Sequence, residues 1–151
     1  MCLTGFHASL RAIDALGYAP GPVVEWVELR GEIKTDTDKA VARERKCLAK
    51  ADATSVLHEF ACWCAEQALL ADRKRGREPD KRSWAAVRTK RRWLAGKATD
   101  MDLAAAWDAA GAAAGAAEAA AWAAGDAAWD AQNCKLTAML RNLLKLEGTK
   151  L

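Results

Sequence analysis

The sequence predicts an all-α protein, a compact helical bundle built around one long alanine-rich helix. Three observations carry that expectation. From Met101 to Ala131, 18 of 31 residues are alanine and none is proline. Alanine is the strongest helix former. Upstream, Leu48, Ala51, Ser55 and Val56 lead to Phe60, Trp63 and Ala68 at helical spacing. The one stretch with strand character, near Val23, finds no partner strand elsewhere. A chain of 151 residues is long enough for one domain with a core. The expected organisation is a single domain over 1–151, with N-terminal helices in 1–35, a helical 36–96 and a final helical 99–147.

Residues 6–16 read as a short helix with Leu10, Ile13 and Leu16 inside and Gly17 as its stop. Ala19-Pro20-Gly21-Pro22 is a turn. Pro22 then suits the first position of a helix running to about Leu29. Val23, Val24, Trp26 and Val27 also suit a strand, because β-branched residues favour one. Helix is preferred for want of a partner. Asp36 to Gln67 holds helical periodicity, with a break near Ala53-Thr54-Ser55. Arg73 to Glu78 is a charged loop. Pro79-Asp80 opens a helix that ends near Ala95, with Gly96 as its C-terminal glycine. Thr99-Asp100-Met101-Asp102 resembles a capping box and opens the alanine helix. Asn133 to Leu146 continues or restarts it, with Leu136, Met139, Leu140, Leu143 and Leu144 on one face.

The alanine helix is not uniform. At about 100° per residue, Trp107, Gly111, Gly115, Glu118, Trp122, Gly125 and Trp129 gather within roughly a quarter turn. Asp108 and Asp126 sit at one edge, and Asp130 a little beyond. Tryptophans filling a core explain the stripe. So does a groove lined for binding, because carboxylates in a dry core need partners. Arg88, Arg91 and Arg92 of the preceding helix are the expected ones.

Charge narrows the function. The net charge is +3, too low to favour polymeric nucleic acid. The segment 73–92 nevertheless holds ten basic side chains. Arginines interleaved with Trp84 and Trp93 suit phosphates and stacked rings, and the same arginines also suit a solvated charged face. The five cysteines, an odd count, read as reduced thiols in a cytoplasm. No apolar run matches the roughly 20 residues of a membrane span. His58 and Cys62 share a helix face, but Cys64 points about 200° from Cys62, so no metal site is expected. Cys64 lacks a nearby histidine. No phosphate loop, dinucleotide fingerprint or nucleophile elbow appears. Neither an enzyme nor a cofactor is expected.

The order Cys64-Ala65-Glu66, Pro79-Asp80-x-Arg82, Trp93-x-x-Gly96, the Thr99 cap and the alanine repeats resembles the alanine-rich immunity-protein family of bacteria and phages. Glu25-Trp26 and Gln132-Asn133-x-Lys135-Leu136-x-x-Met139-Leu140 add to the likeness, which covers about residues 60–140. The resemblance implies a non-catalytic inhibitory protein of a conflict system that sequesters a protein, such as a toxin or host defence factor. A second expectation is a sponge for a cyclic or other nucleotide. Arg82, Arg88, Arg91 and Arg92 would hold phosphate, and Trp93 or Trp107 would stack on the base. Asp108, Glu118, Trp122, Asp126 and Trp129 complete the expected binding surface. The leucine face near the C-terminus suits a homo-oligomer.

Overall fold

The computed structural model describes residues 5–114 and 125–146, with side chains described for 5–110 and 128–146. Among these residues the fold is mixed α/β, with five helices and a three-stranded antiparallel sheet. The all-α expectation is therefore corrected. Strand β1 is Phe6–Ser9, helix α1 Ala12–Ala15, β2 Val23–Thr35 and β3 Lys39–Asp52. Helix α2 spans Thr54–Lys74, α3 Lys81–Leu94, α4 Asp100–Ala114 and α5 Gly125–Leu143. The chain divides into two compact units, Met1–Val56 with Trp129–Leu151, and Leu57–Ala128.

The first unit holds the sheet, in the order β1-β3-β2. Residues 39–52, expected to be helical, form its central strand. This strand is the partner that Val23–Val27 lacked in the sequence reading. Val24 pairs with Ala51, Trp26 with Ala49 and Val27 with Cys47, which leaves Leu48 as an extra residue. Further on, Gly31 and Glu32 together face Arg43, between the pairs Arg30–Glu44 and Ile33–Ala42. Gly31 has φ +78°, the left-handed geometry of a glycine bulge. Ala40, Val41 and Ala42, flanked by β1 and β2, are all buried. Ile13, Ala53, Leu136 and Leu140 are the other buried apolar residues here, and Leu136 is 0% exposed. Polar contacts order the same region. The Arg11 guanidinium donates to both oxygens of the buried Asp14 at 3.0 and 3.2 Å, and also meets Asp130. The Ile13 amide donates to Asn133 Oδ1 at 3.3 Å.

The elements described in the second unit are helices. Its helix ends follow their local sequence. Asp80 caps α3 by accepting from the Arg82 amide at 2.8 Å. Gly96, at φ +67°, ends it, and the Lys97 amide closes on the Arg92 carbonyl at 2.7 Å. Thr99 and Asp102 form the reciprocal capping box: the Thr99 amide donates to Asp102 Oδ2 at 2.8 Å, and the Asp102 amide to Thr99 Oγ1 at 3.1 Å. Helices α3 and α4 pack on each other. On α2, Phe60 and Cys62 are buried, and Phe60 stacks on Trp63 at 6.3 Å between ring centroids. The expected continuous alanine helix falls partly on residues 115–124, outside the described residues.

Candidate functional site

Most of the arginines expected to hold an anion are engaged within the protein. Arg82 turns back on Asp80 with two side-chain bonds of 3.0 and 2.7 Å. That contact, with the Arg82 amide, draws the Asp80 carboxyl down to about 2. Arg91 forks onto both oxygens of Glu66 at 3.1 and 2.8 Å and approaches Glu59. Glu66 holds the Arg91 guanidinium more firmly protonated. Arg92 donates to the Lys97 carbonyl at 3.1 Å. Trp93 donates its indole N–H to Asp100 at 2.6 Å, carries Lys90 over its ring and meets His58 edge-on. A sponge built from these residues has few free cations to offer, and Trp107 rather than Trp93 is its exposed ring.

The tryptophan stripe also departs from the expected seam. Trp107 is 62% exposed and Trp129 44% exposed. Asp108 is exposed, and no ion pair joins it to Arg88, Arg91 or Arg92 among the described residues. Glu118 and Trp122 lie outside the described residues, as does the side chain of Asp126.

Arg88 lines a cleft. Its other walls are Arg73, Glu78, Lys81 and Trp84, and the volume is about 440 Å³. Lys81, Trp84 and Arg88 stand at i, i+3 and i+7 on α3, and so share one face. Arg73, in the last turn of α2, lies over the Trp84 ring at 5.3 Å from its centroid. Two bonds to Glu78, of 3.2 and 2.8 Å, hold it there. The loop between α2 and α3 is set by Gly76 at φ +78° and by the Arg77 amide closing on the Asp72 carbonyl at 3.0 Å. The i, i+3, i+7 spacing was a readable signal for this cleft. The contribution of Arg73 was not, because it comes from another helix.

The second feature is the sheet edge. Strand β2, 13 residues long, pairs with β3 on one side, and no strand pairs with its other side among the described residues. Val23 and Ile33 on β2 are exposed apolar side chains, as is Leu48 on β3. Successive residues along such an edge turn their backbone N–H and C=O pairs alternately toward β3 and toward the open side.

Burial raises the Cys64 thiol above its usual range, and likewise Cys62, where Glu59 adds to the effect. Both are thereby kept as neutral thiols, the poor nucleophiles. The described cysteines, Cys47, Cys62, Cys64 and Cys134, are all free. Among the described residues no group of three or more His, Cys, Asp or Glu is placed to hold a metal ion. No described helix is long and apolar enough to cross a membrane. No family model, curated protein or solved structure matches the chain. The sheet corrects the description of the chain as all-α, and with it the immunity-protein description attached to that fold, while the alanine richness is a property of the sequence and stands.

Proposed function

We propose that this chain is a non-catalytic binding protein that sequesters a protein partner, taking an extended segment of that partner as a further strand against β2. One observation carries the reading: β2 runs 13 residues at the edge of the sheet, with no strand beyond it among the described residues. Outward-facing backbone groups offer hydrogen bonds in register, and added strands draw their affinity from such bonds. The edge is graded. The start of β2, Val23-Val24-Glu25-Trp26-Val27, is mostly apolar, whereas Glu28, Arg30, Glu32 and Lys34 occupy the rest. Charges and a bulge discourage strand pairing, so the partner is received at the first half. The neutral thiols of Cys62 and Cys64 suit binding better than nucleophilic chemistry. Four free thiols fit a reducing compartment such as the cytoplasm.

A matched pair of proline variants tests the reading. Adjacent strand residues turn their amides to opposite sides. Of Val24→Pro and Glu25→Pro, one therefore removes an amide from the ladder with β3 and the other an amide from the open edge. A partner is captured with the unaltered chain, purified and titrated against both variants. The variant that keeps its circular dichroism spectrum is expected to bind at least tenfold more weakly. Binding equal to that of the unaltered chain would refute docking at the edge.

A further inference from the structure

We propose that the cleft beside Trp84 binds a phosphate monoester that carries an aromatic ring, of the size of a mononucleotide. The inference goes beyond the sheet-edge reading and uses different residues.

The charge balance of the cleft selects the ligand. Arg73 and Glu78 neutralise each other through their two hydrogen bonds. Asp80, the nearest other acid in sequence, is taken up by Arg82. Lys81 and Arg88 have no ion pair or side-chain hydrogen bond among the described residues, and both are exposed. Two uncompensated cations about two helical turns apart, on long side chains that line one cleft, match a phosphate monoester, whose second ionisation near pH ~6 leaves it close to a dianion at neutral pH. A carboxylate would neutralise only one of them. Lys81 is also the first residue of α3, where the helix dipole favours an anion.

The tryptophan supplies the second half of the recognition. Arg73 covers the Trp84 ring and fixes it in place. The Trp84 Nε1–H is buried with no acceptor, and it is the one such side-chain group found among the described residues. That N–H is closed to solvent, so it is the indole ring lining the cleft that a ligand meets. The indole beside two cations is also the pairing that suits a planar ring joined to a phosphate. The cleft, about 440 Å³ in volume, is open to solvent and receives one side of the ligand rather than enclosing it.

Calorimetric titration of the full chain at low salt tests this with three probes: a nucleoside monophosphate, its parent nucleoside and inorganic phosphate. The monophosphate is expected to bind at least tenfold more tightly than either fragment. Lys81→Ala with Arg88→Ala is expected to weaken it at least tenfold, and Lys97→Ala, an exposed cation beyond the other end of α3, to leave it unchanged. The altered residues are exposed, and circular dichroism verifies that each variant is folded. The proposal is overturned if the monophosphate gives no binding at millimolar concentration, if the double variant binds it equally well, or if inorganic phosphate binds as tightly as the ester. The β2 proline variants leave this site untouched, so failure here and failure of the sheet-edge reading are distinguishable.

Discussion

Leu136 is withdrawn from water completely, and its removal reports directly on the core of the first unit. Leu136→Ala is expected to lower stability by about 2–5 kcal/mol, the usual cost of a leucine-sized cavity. Urea unfolding checks it. At the surface, short polar contacts fix the helix starts. Loss of the Thr99 hydroxyl in Thr99→Ala removes half of the capping box and is expected to cost about 1 kcal/mol. The capping carboxylates set a pH dependence whose sign is fixed. Asp80 is drawn to about 2 by the Arg82 side chain and amide, and Asp102 is drawn down by the Thr99 amide and hydroxyl. Their folded values lie below the unfolded value of about 3.9. Their contribution is therefore complete above that value and is lost as the pH falls toward 2. Helical circular dichroism should hold steady from neutral pH to about pH 5 and decline below it. Asp80→Asn with Asp102→Asn should flatten that decline. An unchanged acid profile in the double variant would locate the transition elsewhere.

At the scale of the elements, the helix ends were legible and the strands were not, for one physical reason. Caps are local. Pro79-Asp80, Gly96 and Thr99-x-x-Asp102 each act within a few residues, and each stands where the sequence put it. Strand pairing is not local, and its preferences depend on context. Lys39-Ala40-Val41-Ala42-Arg43-Glu44-Arg45-Lys46 is rich in helix formers, yet it pairs with β2 across a sheet. The small side chains Ala40 and Ala42 are buried in a central strand, a setting that their local sequence does not announce. The candidate site divides in the same way. Arg88 and Trp84 share a helix face and were readable together. The hold of Glu66 on Arg91, 25 residues apart, was not. A glycine pair tests the bulge. Gly31 sits at φ +78°, and a Cβ there would meet Arg43 Cβ at an ordinary 3.6 Å. The cost of Gly31→Ala is therefore the backbone's alone, about 1–2 kcal/mol. Gly21 has open space and no positive φ, so Gly21→Ala should be neutral or stabilising by up to about 1 kcal/mol. Thermal melts compare the two.

For the whole molecule, two kinds of surface stand apart in chemistry. The sheet edge offers backbone hydrogen bonds and apolar side chains, and suits an extended polypeptide. The Trp84 cleft offers two free cations and a fixed ring, and suits a small phosphate ester. The +3 net charge is mild enough that neither needs a polyanion to explain it. The sheet-edge reading depends on β2 being paired on one side only, and amide hydrogen exchange resolved by residue measures that directly. Along Val23–Val27, amides facing β3 should be protected and alternate amides should exchange rapidly, with a period of two. Uniform protection of every amide, or protection with the 3.6-residue period of a helix, would contradict the open edge on which the proposed function rests.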